Sequence, residues 1–215
     1  MVLKRTLTTL YAAAGLAALT VSSPGWAEGK SAGDWLIRGR AVAVIPDESS
    51  TITVIGGEAN VDTAYMPELD ISYFFTDNIA AELVLTSTNH DAEAIGTSLG
   101  TVDLGDVWLL PPVLALQYHF APKASVSPYV GAGVNWTIFY SADAPGTTVT
   151  DTSFTNSFGP ALQAGVDFQI DDTWVVNFDV KKVWLDTDVT INGGAISADL
   201  DIDPWIIGIG FGRTF

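Results

Sequence analysis

The chain ends on the stretch that decides its fold, D-P-W-I-I-G-I-G-F-G-R-T-F, which runs from Asp203 to Phe215. From Trp205 to Phe211 every second side chain is large and apolar, and Phe215 lies in the same row. The side chains between them are mostly small, because glycine recurs at every second position. A period of two predicts a β-strand. One apolar and one small face indicate either the closing strand of a lipid-embedded barrel or the last strand of a soluble sandwich.

Seven further segments of the chain show the same alternation. Segments of about 10 residues have the length of a tilted strand that crosses a bilayer. Together with the closing strand they give eight strands. The seven are residues 34–44, 66–75, 79–88, 113–120, 130–138, 158–170 and a segment that begins at Trp174.

The connections between these segments alternate in length, which a soluble sandwich does not explain. Those after the second, fourth and sixth segments are short, and the other four are residues 45–65, 89–112, 141–157 and 186–202. Short periplasmic turns and long external loops are typical of bacterial outer-membrane proteins. The sequence therefore predicts an all-β fold, an eight-stranded antiparallel up-and-down transmembrane β-barrel. It also predicts a monomer with both termini in the periplasm.

The first 27 residues have the pattern of an export signal. Lys4 and Arg5 give a basic start, an apolar run covers residues 7–21, and Gly25-Trp26-Ala27 is a small-x-small cleavage site. The apolar run is shorter than the roughly 20 residues of a spanning helix. We therefore predict a cleavable signal peptide over residues 1–27 and a single barrel domain over residues 28–215.

The composition of the chain excludes some classes of function. Removal of the signal lowers the basic residues from 9 to 7 against 25 acidic residues, so the net charge changes from −16 to −18. Such acidity argues against nucleic acid as a partner. The absence of cysteine excludes thiol chemistry. A mean hydropathy of +0.31 without a run of 18 apolar residues fits a closed barrel, which pairs every backbone group within lipid.

Aromatic residues cluster near the ends of the predicted strands, as in the girdles that anchor barrels at both membrane interfaces. The alternative is the ordinary preference of aromatic residues for strands. The predicted girdle residues are Trp35, Tyr73, Phe75, Tyr118, Phe120, Tyr129, Trp136, Tyr140, Trp174 and Trp205.

Several blocks resemble one family of outer-membrane barrels. P-E-L-D-I-S-Y-F-F-T-D-N-I-A-A-E-L, L-L-P-P-V-L-A-L-Q-Y-H-F, P-Y-V-G-A-G-V-N-W-T, G-V-D-F and L-D-I-D-P-W are similar to the OmpW family, in family order over nearly the whole mature chain. The resemblance implies passage of small hydrophobic molecules across the outer membrane of a Gram-negative bacterium. Phe215 then serves as the signal for the barrel-assembly machinery. Arg213 departs from the apolar or aromatic residue that such barrels usually carry two positions before the end.

The inward-facing residues divide the predicted lumen into two levels. An eight-stranded barrel has room only for side chains or one small ligand, so buried charges need partners. We predict that the two arginines meet the acidic pair on the second strand in a polar plug below an apolar funnel; the alternative is a closed core without a passage. The plug residues are Arg38, Arg40, Glu68, Asp70, Glu82 and Lys181, with Gln117, His119, Asp167, Asn177 and Asp179 nearby; the funnel residues are Val42, Val44, Val84, Val113, Phe139, Val183 and Leu185.

The closing strand and the seventh segment raise two local expectations. A solute stopped by the plug has to leave sideways through the wall, and Gly208, Gly210 and Gly212 are candidates for a gap, unless they serve close packing. Lys182 faces outward beside Trp184. Its position indicates a β-bulge there, or the edge of the lipid band.

Other functions have less support. We predict no enzyme, because Ser87, His90 and Asp91 are close in sequence but lie at a loop edge. Asp199, Asp201 and Asp203 alternate, so they could hold a divalent ion against lipopolysaccharide phosphates. A solvated acidic loop is favoured because the Gly and Glu of a calcium loop are missing, so neither metal nor cofactor is expected. A wide aqueous channel belongs to barrels of about 16 strands. The alternative to a conduit for small hydrophobic solutes is a structural or surface-recognition barrel, with a receptor or envelope-stress role and no transport. With either function we expect outer-membrane lipids and lipopolysaccharide as partners.

Overall fold

The computed structural model describes residues 29–144, 146 and 149–215, so the predicted signal peptide lies outside the described residues. No helix in this part of the chain is long and apolar enough to cross a membrane. The strands found there are β1 (Trp35–Ile45), β2 (Ser49–Ile52), β3 (Glu58–Val61), β4 (Ala64–Phe74), β5 (Ile79–Thr86), β6 (Thr88–Thr97), β7 (Gly100–Leu110), β8 (Val113–His119), β9 (Val126–Asp143), β10 (Thr152–Phe154), β11 (Ser157–Gln169), β12 (Trp174–Val183), β13 (Asp186–Ile191), β14 (Ile196–Asp201) and β15 (Trp205–Thr214).

Eight of these strands close into an antiparallel barrel, which confirms the predicted fold. Their order around the barrel is β1, β4, β5, β8, β9, β11, β12 and β15. The closing strand β15 pairs with β1 from Leu36↔Thr214 to Ile45↔Trp205 and so joins the two ends of the sheet. Its other edge pairs with β12 from Trp174↔Arg213 to Lys182↔Trp205. Each side chain of the alternating pattern therefore points either into the lumen or toward lipid.

Short turns join the strands at one end of the barrel, which we name the short-turn end. In the β4–β5 turn the Thr76 hydroxyl accepts hydrogen bonds from the backbone amides of Asn78 and Ile79. In the β11–β12 turn the Asp171 carboxylate accepts the amides of Thr173 and Trp174, which lowers the pKa of that carboxyl. These side chains take the place of ladder partners where the chain reverses.

The long connections are mostly β-structure, where the sequence pattern predicted loops. They contain β2, β3, β6, β7, β10, β13 and β14, which continue the wall beyond the barrel at what we name the long-strand end. The alternation is hidden there by bulges, because the β6–β7 register shifts between Ala92 and Glu93 and again between Ala94 and Thr97. The bulge predicted at Lys182 is wrong, since the register runs unbroken on both sides of β12.

The outer wall of the barrel is apolar and has aromatic rings near both ends. The Trp35 and Tyr73 rings lie 4.8 Å apart at the short-turn end, and the Trp108 and Tyr140 rings lie 6.4 Å apart toward the long-strand end. Tyr129 is an exception to the predicted girdle, because it points inward and is almost fully buried. The wall between the rings is lipid-facing in character, with Leu114, Leu116, Val134, Ile207, Ile209 and Phe211 all exposed.

Candidate functional site: a charged plug below an apolar cavity

Nine charged side chains meet inside the barrel, each at most 3% exposed. We name them the charged plug. They comprise the six residues predicted for the plug and three more: Arg38, Arg40, Glu68, Asp70, Glu82 and Lys181, with Lys30, Asp167 and Asp179. Their ion pairs join strands that are not neighbours in the barrel, so these side chains cross the lumen at this level.

Arg38 is fully buried at the centre of the plug. Its Nε lies 2.8 Å from Asp70, which is opposite it in the β1–β4 register. Its two terminal nitrogens reach Glu82 at 2.9 Å and Asp167 at 3.2 Å. One guanidinium therefore connects carboxylates of three strands, a geometry that the planar five-donor group of arginine permits and lysine does not.

Arg40 forms a second node one inward position further along β1. Its Nε lies 3.0 Å from Glu68, the residue opposite it on β4, and its guanidinium also pairs with Asp70, Glu82 and Asp179. Lys181 completes this node at 2.6 Å from Asp179 and 3.1 Å from Glu68. Glu68 and Asp179 are thus shared between cations of β1 and β12.

Lys30 is a plug residue that the strand pattern missed. It precedes β1, and its backbone amide donates to the Pro122 carbonyl in the β8–β9 connection. Its ammonium enters the short-turn end of the lumen, where Nζ lies 2.6 Å from Asp167, 3.0 Å from the Ser127 hydroxyl and 3.2 Å from His119 Nδ1. A lysine outside any alternating segment carries no sequence signal of burial.

Tyr129 and His119 form a ring stack beside the plug. Their centroids lie 4.9 Å apart, and the Arg38 guanidinium lies 5.3 Å from the Tyr129 ring. The Tyr129 hydroxyl donates to Asp179 at 2.6 Å. Because Lys30 donates to His119 Nδ1, the neutral imidazole donates from Nε2 to Gln117. The plug is therefore held by polar side chains of β8 and β9 as well as by ion pairs.

The glycines of β15 make room for the plug arginines. A Cβ added at Gly208 would meet the Val42 and Arg40 side chains, and one at Gly212 would meet the Arg38 side chain. Both edges of β15 are also fully paired. The glycine row therefore serves close packing, the alternative that the sequence left open, and the closing strand leaves no gap in the wall.

An apolar cluster lies directly above the plug. It contains six of the seven predicted funnel residues, buried to 6% exposure or less, and Phe139 packs against it half-buried. A second apolar cluster, between the strands of the long-strand end, includes Ile52, Ala94, Val189 and Ile191. The stacked rings of Phe139 and Phe154, 5.2 Å apart, connect the two clusters. The interior is therefore largely apolar from the plug to the long-strand end, with a few buried polar side chains.

A small cavity remains within the upper apolar region, with a free volume of about 40 Å³. That is space for roughly three water-sized groups, since one water needs about 10–15 Å³. Val44, Val113, Phe139, Val183 and Leu185 line it, together with Thr86, Thr88, His90 and Asn135. Val42 and Val84 lie in the same cluster but not on the cavity wall. In this conformation the apolar region contains a small cavity and not a wide funnel.

Two residues that break the lipid-facing pattern have partners at the barrel rims. Lys182 lies over the Trp205 ring at 5.2 Å, and its ammonium is 3.2 Å from Asp47. Arg213 lies 5.7 Å from the Trp174 ring and 4.9 Å from the ring of Phe215. These cation–π contacts explain how charged side chains fit the apolar outer face. They agree with the expectation that Lys182 marks an edge of the lipid band.

A closed eight-stranded barrel with an apolar outer wall, aromatic rims and a plugged lumen defines the class of small outer-membrane β-barrels. The OmpW family model matches residues 31–215, and the chain belongs to the OmpW family.

The relatives cover nearly the whole chain. Outer membrane protein W of Vibrio cholerae is 34% identical over 94% of this chain and 97% of its own length. Dibenzothiophene metabolism operon protein PahQ of Pseudomonas aeruginosa is 31% identical over 99% of this chain and 100% of its own. The crystal structure of the outer membrane protein OprG from Pseudomonas aeruginosa has a TM-score of 0.80 and 32% identity, over 88% of this chain and 99% of that one.

Proposed function

We propose that the protein admits small hydrophobic molecules through the outer membrane, from the long-strand end into the apolar cavity. The observation that supports this is the largely apolar interior above the charged plug. A relative named for dibenzothiophene metabolism, a compound without charge, agrees with an apolar solute. In this proposal the short-turn end and both termini lie in the periplasm, as short turns do in outer-membrane barrels.

The plug argues against a straight path to the periplasm. An apolar solute gains about 25 cal/mol for each Å² of surface that leaves water, and the upper cavity supplies that gain. At the level of Arg38 and Arg40 it would have to separate buried ion pairs, which costs about 3–5 kcal/mol for each broken pair. The favourable alternative is lateral exit through the barrel wall into the bilayer.

We place the lateral exit between β4 and β6. Within the described residues, the β4–β5 ladder begins at Glu68↔Thr86, and Ala64–Pro67 has ladder partners on β1 alone. Pro67 has no amide hydrogen to extend the ladder, and its carbonyl accepts the Thr86 hydroxyl at 3.0 Å. Thr86 lines the apolar cavity, so this unpaired part of the wall adjoins the solute site.

Uptake of a hydrophobic growth substrate tests the conduit. Cells that lack the protein are complemented with wild type, Val113→Asp or Val183→Asp, each of which puts a carboxylate on the cavity wall. We expect both to lower uptake to the level of the empty vector while folded barrel remains in the membrane. Val54→Asp, on an exposed turn of the long-strand end, is the control and should behave as wild type. Wild-type uptake by both cavity variants would refute the conduit.

The proposed lateral exit is tested by restoring the backbone amide hydrogen that Pro67 lacks. Pro67→Val supplies an amide that can extend the β4 ladder, so we expect slower uptake with unchanged binding to the cavity. Pro160→Val is the matched control, because the β9–β11 ladder already continues on both sides of Pro160. Equal uptake by the two variants would argue against an exit at Pro67.

A surface-recognition barrel remains the second candidate. The observation in its favour is that the long connections form paired strands, which present a fixed surface toward the exterior in the proposed orientation. Lipopolysaccharide would be the neighbour of that surface. The surface-recognition function would be supported if the cavity variants transport the substrate normally and deletion of the β13–β14 hairpin abolishes binding to lipopolysaccharide.

A further inference from the structure

One hydroxyl on the wall of the apolar cavity has no hydrogen-bond partner. Thr88 is 1% exposed and faces the cavity from the first position of β6. Its Oγ1 is buried, and no described residue donates to it or accepts from it. A buried polar atom in this state is unfavourable unless something else satisfies it. The cavity wall therefore holds an open polar position within apolar surroundings.

His90 adds a second polar position on the same strand face. It is 4% exposed, lies two residues after Thr88 and also lines the cavity. Its Nδ1 is 2.9 Å from the Asp62 carbonyl, which can only accept, so Nδ1 carries the hydrogen in the neutral ring. Its Nε2 is then an acceptor, without a protein partner in the part of the chain that the structure describes.

The other hydrogen-bonding side chains of the cavity wall are already satisfied. The Thr86 hydroxyl donates to the Pro67 carbonyl at 3.0 Å. Asn135 donates to the Pro112 carbonyl at 3.1 Å and accepts the Thr137 hydroxyl at 2.7 Å. The unused polar capacity of the wall is thus one hydroxyl and one acceptor nitrogen, both on β6.

We propose that the cavity binds a small apolar molecule that carries one hydroxyl group, such as a short aliphatic alcohol. The ligand hydroxyl donates to His90 Nε2 and accepts from the Thr88 hydroxyl, while its hydrocarbon part packs against Val113 and Leu185. This inference rests on the proposed conduit, and it names the solute class that the same cavity prefers. An alkane fills the apolar part and leaves both polar atoms unsatisfied.

Binding to the full-length barrel in lipid nanodiscs tests this preference. The probes are ethanol, dimethyl ether and propane, which each have three heavy atoms, as the cavity volume requires, and differ in hydrogen bonding. We expect ethanol to shift the nitrogen resonance of His90 Nε2 and the methyl resonance of Thr88. The ether accepts but cannot donate, so it should shift the Thr88 signal alone. The alkane should affect the apolar methyl groups of the cavity and neither polar signal.

The Thr88→Val variant keeps the shape of the side chain and removes the hydroxyl. Loss of one neutral hydrogen bond should weaken the affinity for ethanol about 2- to 12-fold and leave the affinity for propane unchanged. Thr187→Val is the matched control, because Thr187 is a buried threonine outside the cavity wall, and its hydroxyl is already bonded to the Thr155 carbonyl. Partition into the lipid is the same for all variants, so it cancels in the comparison.

The outcomes separate this inference from the conduit. If propane binds in the cavity but Thr88→Val does not change the ethanol affinity, the hydroxyl preference is wrong and the conduit stands. If none of the three probes shifts a cavity resonance at saturation, both are wrong. Should the variant fail to fold, the wild-type comparison decides alone, and equal His90 shifts with alcohol and ether would overturn the proposal.

Discussion

Truncation of the central plug arginine should destabilise the barrel. In Arg38→Ala, the buried carboxylates of Asp70, Glu82 and Asp167 lose a shared cation. Asp70 and Glu82 retain Arg40, and Asp167 retains Lys30, so none is left entirely unpaired. Breaking a buried pair costs about 3–5 kcal/mol. Because partners remain, we expect the free energy of unfolding to fall by about 3 kcal/mol, at the low end of that range.

The charge count of the plug predicts an asymmetry. Five carboxylates face four cations, so Asp70→Ala makes the count equal, whereas Arg38→Ala increases the imbalance. Asp70→Ala should therefore cost less than Arg38→Ala. In the double variant, with both Arg38→Ala and Asp70→Ala, loss of the arginine no longer leaves the Asp70 carboxylate without this partner. We therefore expect the free energy of unfolding to fall by about 1–2 kcal/mol less than the sum of the two single losses.

Urea unfolding in lipid vesicles, followed by tryptophan fluorescence and by the heat-dependent gel mobility of the folded barrel, measures these differences. Arg213→Ala is the control, because Arg213 is exposed and makes cation–π contacts at the rim. Such contacts contribute about 0.5–1 kcal/mol. Strict additivity of the two plug substitutions, or an Arg38→Ala loss no larger than that of Arg213→Ala, would refute the interpretation of the plug as one coupled network.

Three further predictions concern other parts of the chain. Phe215→Asp should lower the amount of folded barrel in outer-membrane fractions, because the last residue completes the apolar row of β15; wild-type amounts would contradict an assembly role. Gly212→Val should lower the free energy of unfolding by about 1–3 kcal/mol, and with it the thermal midpoint, because the added side chain meets plug side chains. Gly39→Val should leave the thermal midpoint unchanged, because a side chain at Gly39 meets open space. Asp188 lies opposite Asp199, and their shared hydrogen bond raises the pKa of the Asp188 carboxyl. The β13–β14 hairpin is therefore most stable at acidic pH, and it loses the stability from this hydrogen bond as pH rises through the raised pKa of Asp188. Hydrogen exchange of the hairpin amides, corrected for the intrinsic rate, should become faster in that pH range. Asp199→Asn should remove this pH dependence.

The eight barrel strands follow from the sequence because one face of each strand contacts lipid. A lipid-facing wall requires an apolar residue at every second position, and that requirement is visible without coordinates. The same alternation identifies the inward residues, and antiparallel pairing of the first two strands places Arg38 near Asp70. The long connections were misread as loops since their strands have no lipid-facing side, and bulges interrupt the alternation near Ala92.

The tertiary structure decided what the inward residues do together. Lys30 belongs to the plug because the chain before β1 folds back into the lumen. Tyr129 points into the lumen, where its hydroxyl donates to Asp179, and not into the predicted girdle. Likewise, the free hydroxyl of Thr88 appears only once the neighbouring groups are known to be satisfied. A period of two determines which face of a strand a side chain occupies. The partners of an inward-facing side chain come from strands that are distant in sequence. The closed barrel alone therefore determines which buried polar atoms have a hydrogen-bond partner and which are free to bond a ligand.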